Sequence, residues 1–290
     1  MGEDSFPPGT LPASPAWEGV GGSTRLRTRC GSGSPVPASA KSFDQLVSEA
    51  SRTPFSGWDF SALDGRWRHE NPPWDYSALA RDRIAHASGL LDLGTGGGEV
   101  LSSMAPLPRK TFATEGYAPN LEVARRRLTP LGVQVLPIGP DNRIPLPDGG
   151  VDLVLDRHEE FDPGEVHRVL APGGSFVAQQ VGGLNNVELR ERFGAEASVP
   201  TNDVSSSAAL ANEIARAGFV VRRQEEWIGF TEFLDVGAVV YYLKAIPWEV
   251  PGFSVSRHRA MLEEIHHGIQ ATGSLRVTSH RLLVIAQRPA

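Results

Sequence analysis

Cysteine is almost absent from this chain: Cys30 is the single cysteine among 290 residues, which excludes an intrachain disulfide. The sequence also has no apolar run near the ~20 residues that a membrane-spanning helix requires. Its first residues lack the basic start and apolar stretch of a secretory signal. Together these absences predict a cytoplasmic protein that has no membrane partner.

Positive charge is in deficit as well. The chain carries 28 Lys and Arg against 34 Asp and Glu, a formal net charge of −6. Proteins whose main partner is a nucleic acid usually present a basic face, and the short arginine runs at 125–127 and 222–223 are interpreted as solvated surface. With 40% hydrophobic and 21% charged residues, the composition is that of a globular protein. We expect a small-molecule partner rather than a nucleic acid, and a monomer or homodimer.

The chain divides into a low-complexity start and one folded domain. Residues 1–40 are rich in Gly, Pro and Ser without apolar periodicity, so we predict a disordered leader. Residues 41–290 are predicted to form a single domain that begins with an aromatic-rich cap segment over 41–88. Strand and helix patterns then alternate, which predicts an α/β, Rossmann-like, mostly parallel seven-stranded sheet with helices on both faces. The expected strands are 90–93, 110–114, 132–136, 151–155, 175–181, 219–227 and 281–287.

Between the last two predicted strands lies an insertion over 230–275, with helical patterns near 235–246 and 256–270. Open α/β sheets bind ligands at the carboxyl ends of their strands, and both the insertion and the cap segment should lie there. We therefore predict a helical lid over the substrate. The alternative is that these helices simply cover the sheet.

The most informative segment is Leu90–Gly98, an apolar run that ends in Asp92 and continues as Leu-Gly-Thr-Gly-Gly-Gly. Glycines are required where the backbone adopts positive φ or where a ligand lies directly against it. A second apolar run ends in Glu115, and a carboxylate at this spacing can accept hydrogen bonds from the two hydroxyls of a ribose. The two segments together predict a site for a nucleoside-containing cofactor.

The spacing D-x-G-x-G-x-G resembles motif I of the class I S-adenosylmethionine (SAM)-dependent methyltransferases. The dinucleotide fingerprint G-x-G-x-x-G would instead need a glycine where Glu99 stands. Two further segments resemble the same family: 144–155, which leads into its fourth strand, and 170–176, its turn into the fifth. The resemblance implies SAM as cofactor, S-adenosylhomocysteine (SAH) as product, and transfer of a methyl group to an acceptor (EC 2.1.1.-).

Carried over position by position, the resemblance implies a set of cofactor-binding residues. Relatives often place an acid after the third strand to meet the adenine amino group. Pro140 stands at that position, so Asp141 or Asn142 would serve instead. The implied residues are Asp92, Gly94, Thr95, Gly96, Gly98, Glu115, Gly116, Asp141, Asn142, Asp156 and Arg157.

The loop after the fourth strand, Asp156–Glu160, opens onto the methyl group in this family's fold and holds the candidate catalytic residues. A histidine titrates near neutral pH, so His158 is predicted to be a general base, and Glu159 is predicted to support it or to bind substrate. Alternatively, His158 only packs there, because some methyltransferases act by proximity and need no base. No metal site is predicted, since the histidines within 258–267 are more typical of a solvated helix face.

The segment Asn71-Pro-Pro-Trp74 resembles the Asn-Pro-Pro-aromatic motif of adenine and glutamine N-methyltransferases. In those enzymes the motif follows the fourth strand, whereas here it shortly precedes the first, so we reject that assignment. The prolines should stiffen an extended segment. Trp74 and Tyr76 then pack over cofactor or substrate, or else within the core. Gln180, near the end of the fifth strand, is a further candidate for substrate binding.

Two alternatives to a small-molecule methyltransferase stay open. An RNA or protein methyltransferase would show a basic groove leading to His158 and binding that weakens steeply with salt. A protein of the same fold that binds SAM without transferring its methyl group would never convert the cofactor to SAH.

Overall fold

The computed structural model describes residues 41–195 and 205–290, and the predicted leader over 1–40 lies outside these ranges. The strands are β1 (Trp67–His69), β2 (Gly89–Leu93), β3 (Lys110–Glu115), β4 (Gln134–Pro137), β5 (Val151–Arg157), β6 (Leu170–Val181), β7 (Val220–Phe233) and β8 (Leu275–Gln287). The helices are α1 (Phe43–Arg52), α2 (Tyr76–Ile84), α3 (Glu99–Ser103), α4 (Ala118–Leu128), α5 (Pro163–Val169), α6 (Val187–Arg192), α7 (Ser207–Arg216), α8 (Val236–Ala245) and α9 (Arg259–Thr272). Within the described ranges, no helix is both long enough and apolar enough to cross a bilayer.

All the described strands belong to one sheet, in the order β1-β7-β8-β6-β5-β2-β3-β4. Strands β2 to β6 pair in parallel, and β8 lies antiparallel between β6 and β7. Because β6 and β7 both oppose β8, they run in the same direction as each other. The predicted mostly parallel α/β sheet is therefore confirmed.

The predicted count of seven strands is wrong, because the sheet has eight. The additional strand is β1, which pairs antiparallel with the end of β7 through Trp67↔Phe233 and His69↔Thr231. It comes from the cap segment and has only three residues. A strand this short shows no alternation in the sequence, and its partner is distant in the chain.

The insertion is also shorter than predicted. Strands β7 and β8 stay paired as far as Phe233↔Leu275, so the segment between them covers 234–274 rather than 230–275. Since β7 is parallel to β6, its carboxyl end lies at the same edge of the sheet as Leu93 and Glu115. Helices α8 and α9 therefore follow β7 at the edge where ligands bind in open α/β sheets.

Successive residues of the central strands enter two cores on opposite faces of the sheet. Leu90 faces the core that contains Ile84 of α2 and Leu128 of α4. Leu91 faces the core that contains Val166 of α5 and Leu210 of α7. Each face is thus covered by helices, and the sheet holds the carboxyl ends of β2, β3 and β5 in a fixed arrangement.

The cap segment and the insertion share a third core, formed by α1, α8 and α9 together with buried residues such as Phe60 and Leu63. Asp235 joins the two segments: it accepts hydrogen bonds from Arg66 Nε at 2.8 Å and Arg66 Nη2 at 2.5 Å. The same carboxylate caps the first turn of α8 by accepting from the Ala238 amide at 2.9 Å. We refer to this unit, α1 with the 53–66 segment and α8 with α9, as the helical cap.

Arg66→Gln is expected to lower the free energy of unfolding by about 1–3 kcal/mol, because it leaves a largely buried Asp235 carboxylate without its charged partner. Arg68→Gln is the matched control, since Arg68 is exposed and reaches Glu232 only at 4.0 Å. Its effect should stay below about 0.5 kcal/mol. Urea unfolding of both variants measures the difference, and equal losses would contradict this role for Arg66.

Candidate functional site

The glycine loop joins β2 to α3 and has the backbone that the sequence predicted. Gly94, Gly96 and Gly98 have φ values of 58°, 61° and 80°, which disfavour a side chain. The Thr95 amide donates to the Thr114 carbonyl at 2.8 Å, which ties the loop to β3. The indole of Trp58 lies on the loop, because a Cβ added to Gly96 would stand 2.1 Å from its Cδ1 atom. The helical cap therefore contacts the glycine loop directly.

Glu115 ends β3 beside this loop and is 3% exposed. Its Oε1 atom accepts from the Tyr117 amide at 2.7 Å, while its buried Oε2 atom has no hydrogen-bond partner among the described residues. Burial raises the pKa of this carboxyl to about 7, and nearby donors including the amides of Gly96 and Gly116 only partly offset the effect. A buried acceptor without a partner is costly unless a ligand supplies a donor.

Glu115 is one of several acids gathered at the carboxyl ends of β2, β3 and β5. Burial raises the pKa of Asp92 to about 7 and that of Asp156 well above its usual range. The pKa of Glu159 is also raised, by burial and then by the charges of Glu115, Asp156 and other neighbouring acids. Carboxylates that raise one another's pKa values favour a bound cation and oppose a bound anion such as a pyrophosphate.

Three hydrogen bonds hold the loop after β5 in place. The Oδ1 atom of Asp156 accepts from the Glu159 amide at 3.3 Å. Gln180 Nε2 donates to Asp156 Oδ2 and to the Glu159 carbonyl, both at 2.6 Å. The Glu159 carboxylate lies against the glycine loop, 2.0 Å from where a Cβ on Gly94 would stand. Gln180 thus positions the predicted catalytic loop rather than pointing away from it.

Two successive hydrogen bonds connect Trp74 through Gln179 to the ring of His158 and determine the role of its Nε2 atom. Trp74 Nε1, which can only donate, bonds Gln179 Oε1 at 2.7 Å. The Gln179 amide nitrogen must then be the donor toward His158 Nε2, 3.2 Å away, so the histidine nitrogen accepts this hydrogen bond. His158 is 2% exposed and has φ +69°, a conformation that costs on the order of 1–3 kcal/mol outside glycine.

The remaining predicted residues differ in their burial and in their contacts near this site. The Tyr76 hydroxyl donates to the Asp156 carbonyl at 3.1 Å, and the Arg157 guanidinium lies 5.6 Å from the Tyr76 ring centre. Trp74 and Tyr76 both pack in the core against α2 and the sheet. Asp141 and Asn142 follow β4 at the same edge, where Asp141 is exposed and the Asn142 amide donates to the Gly139 carbonyl at 3.0 Å.

The segment that contains the glycine loop, Glu115 and the loop after β5 also has a sequence match. Residues 91–178 match the family model described as "Methyltransferase domain". This segment of the chain is therefore similar to the methyltransferase domain family. The resemblance of its motifs to that family is therefore confirmed.

Two solved structures share the fold of this chain. BH2331, a proposed methyltransferase from Bacillus halodurans C-125, aligns with a TM-score of 0.53 at 18% identity, over 74% of this chain and 99% of that one. The YcgJ protein of Bacillus subtilis aligns with a TM-score of 0.53 at 15% identity, over 74% of this chain and 98% of that one. At these identities the similarity extends to the fold alone. Among curated proteins no match is found.

The methyltransferase family implies SAM, and the residues present fit it. The positive φ of the glycine loop leaves its backbone accessible to a ligand. The buried Oε2 atom of Glu115 lacks a donor within the described ranges, which a ribose hydroxyl would supply. The acidic surroundings suit a ligand that carries ammonium and sulfonium charges.

Two contacts of this domain have no signal in the sequence. Trp58 touches Gly96 although nothing in the spacing of the cap segment selects it from the other aromatic residues. Gln179 joins Trp74 to His158, a contact that requires the fold of β6 against the cap segment. Within the described ranges no group of three His, Cys, Asp or Glu side chains is placed to hold a metal ion.

Proposed function

We propose that this protein transfers a methyl group from SAM to a small-molecule acceptor. The observation that carries the proposal is the buried acidic pocket at the carboxyl ends of β2, β3 and β5, with the Oε2 atom of Glu115 lacking a donor among the described residues. Glu115 would accept hydrogen bonds from the ribose hydroxyls, and Asp92 and Asp156 would stabilise the cationic part. When bound, SAM supplies an electrophilic methyl group.

The helical cap supports a small acceptor. It packs on the glycine loop through Trp58 and follows β7 at the ligand-binding edge. A cap at this position restricts the site to molecules that fit beneath it and excludes water from the reacting groups. The net charge of −6 also argues against the RNA alternative, which would need a basic approach to the same edge.

The test is the formation of SAH, measured by mass spectrometry, from the purified protein, SAM and a panel of small phenols, amines and carboxylic acids. We expect SAM to bind by calorimetry and SAH to form only when an acceptor of this kind is present. SAH formed only with RNA or protein would move the assignment to those substrates. Cofactor that binds but is never converted with any acceptor would indicate a binding protein instead.

We propose His158 as the general base, and its contacts suggest how the acceptor would reach it. Its Nε2 lone pair is held by the Gln179 amide at 3.2 Å, so an acceptor hydroxyl or amine would have to displace that donor before losing its proton. Gln179 would then release His158 as the acceptor enters. In this role His158 would act from the loop after β5, beside Glu159.

His158→Asn is expected to lower turnover about 10²- to 10⁴-fold, the usual contribution of a general base, with SAM affinity almost unchanged. Asparagine tolerates the positive φ of this position better than alanine does, so the variant separates catalysis from folding. His86→Asn, on an exposed position, is the control. Full turnover by His158→Asn would leave the proximity mechanism, in which no base is needed.

A further inference from the structure

A second polar site adjoins the methyltransferase site, beneath the Asn71-Pro72 segment. It is a crevice of about 20 Å³, which has room for one oxygen atom of a ligand whose remainder lies outside it. We call it the Arg281 crevice. Its polar lining residues are His69, Glu70, Asn71, Gln179, Thr231, Ser279 and Arg281, and Trp227 also lines it.

Arg281 is the buried cation of this crevice, with 6% of its surface exposed. Its Nη1 atom donates to Asn185 Oδ1 at 2.7 Å and to the His280 carbonyl at 2.9 Å, both neutral acceptors. Its Nε and Nη2 atoms make no hydrogen bond within residues 41–195 and 205–290, and its guanidinium forms no ion pair there. A buried charge of this kind is costly unless an anion compensates it.

Neither of the acids near Arg281 forms an ion pair with its guanidinium within the described ranges. Glu249 accepts from Asn186 at 2.8 Å and is paired with Arg190 at 3.2 Å. Glu70 lines the crevice but is exposed, so its charge is screened by solvent. Burial, with a contribution from the charge of Arg157, lowers the pKa of Arg281 to about 10, and the charge of Glu249 only partly opposes this; the guanidinium is still charged at neutral pH.

The other lining groups are neutral donors and acceptors. The hydroxyls of Thr231 and Ser279 bond each other at 2.9 Å and are both buried. Burial, with a contribution from the charge of Arg281, lowers the pKa of His69, so its ring is neutral at physiological pH. The crevice thus combines one buried cation with small polar groups and the exposed Glu70, and its cation can bind a carboxylate.

The Arg281 crevice is connected to the proposed active site. Gln179 lines the crevice and also contacts His158 Nε2 at 3.2 Å. The charge of Arg157 acts both on Asp92 of the cofactor motif and on Arg281. A molecule held in the crevice would therefore extend along Gln179 toward the loop after β5.

From this arrangement we infer that the acceptor carries a carboxylate, which binds the free Nε and Nη2 edge of Arg281 in the crevice. The inference rests on the proposed function, because it assigns a chemical class to the acceptor of that reaction. The Asn71-Pro72 segment, whose motif has no role in the cofactor site, also lines the crevice.

Acetate is the probe for this site and acetamide its neutral isostere. Trp227 lines the crevice as well. In the ¹⁵N-labelled protein, the arginine Nε–H signal that is lost in Arg281→Gln and the indole signal lost in Trp227→Phe therefore report on the crevice. We expect acetate to shift both signals saturably at constant ionic strength, and acetamide to shift neither. In Arg281→Gln the acetate affinity seen by the indole signal should fall about ten- to hundredfold. Arg276→Gln, an exposed position on the same strand, should behave like the wild type.

A response that does not saturate, an equal response to acetamide, a response retained in Arg281→Gln, or a response to phosphate but not to acetate would each overturn the inference. If Arg281→Gln fails to fold, the comparison of acetate with acetamide on the wild type still decides. Calorimetry with SAM is performed separately. SAM binding without an acetate response contradicts only the carboxylate site, whereas an acetate response without SAM binding contradicts the proposed function.

Discussion

Replacing Glu115 with alanine should weaken SAM binding by about a hundredfold or more, because two hydrogen bonds to a charged acceptor are lost from a buried position. The residue is 3% exposed, and its Oε2 atom has no donor in the described part of the chain. Glu115→Gln should lose part of this affinity, since an amide keeps one acceptor but no charge. Isothermal calorimetry measures both variants.

Glu122→Gln is the matched control, because Glu122 is exposed on α4. Its affinity for SAM should equal that of the wild type. If Glu115→Ala binds SAM as tightly as this control does, the carboxylate does not hold the ribose.

The pH dependence gives a second, independent readout of the same group. Glu115 has a pKa of about 7 in the ligand-free protein, and only the ionised form accepts from two hydroxyls. Binding should therefore weaken as pH falls below about 7, by up to tenfold per unit, and it should release a proton near pH 6. Calorimetry in buffers of different ionisation enthalpy detects that proton, which should be absent in Glu115→Gln.

Glu115 also affects the pH dependence of the free energy of unfolding, in the direction opposite to that of a surface carboxylate. Its pKa is raised from 4.5 to about 7, so the folded chain keeps a proton that the unfolded chain has lost. Its contribution to the unfolding free energy therefore falls as pH rises from about 4.5 to about 7, by on the order of 3 kcal/mol in total. At pH 8, ligand-free Glu115→Gln should be more stable than the wild type, which would show that binding capacity is kept at a cost in stability.

The sequence was most informative where one short segment carries its own backbone requirement. The glycines at 94, 96 and 98 are needed because each φ is positive. That constraint can be recognised from the local sequence pattern. The central strands are likewise visible because residues such as Leu90 and Leu91 enter separate cores. Glu115 follows from its place at the end of such a strand.

Contacts between distant segments could not be predicted in this way. Strand β1 forms because β7 continues to Phe233 and leaves an unpaired strand edge there. Nothing in the sequence of residues 67–69 indicates that pairing. The orientation of the His158 ring depends on Gln179, which depends in turn on Trp74. Each of these contacts forms only in the folded sheet. The sequence could therefore identify His158 as a candidate, but it could not show that its Nε2 atom is hydrogen-bonded to Gln179.

Gly96→Ala is the substitution with the largest expected effect on stability, about 2–5 kcal/mol, because it adds both backbone strain and a clash. The residue has φ +61°, and its new Cβ would stand 2.1 Å from Trp58 Cδ1. Strain at positive φ costs about 1–2 kcal/mol, and overpacking adds about 1–3 kcal/mol. Urea unfolding of the ligand-free protein measures the loss.

Gly132→Ala isolates the strain, because Gly132 has φ +81° with nothing within 4 Å of the added Cβ. It should cost only about 1–2 kcal/mol. In the double variant Trp58→Ala/Gly96→Ala the clash is absent, so the cost of Gly96→Ala should fall to that of Gly132→Ala. Such a coupling would show that the helical cap contacts the glycine loop through this indole, so that the cap helps to hold the glycine backbone in place. Additive effects of the two substitutions would mean that Trp58 and Gly96 do not touch in solution.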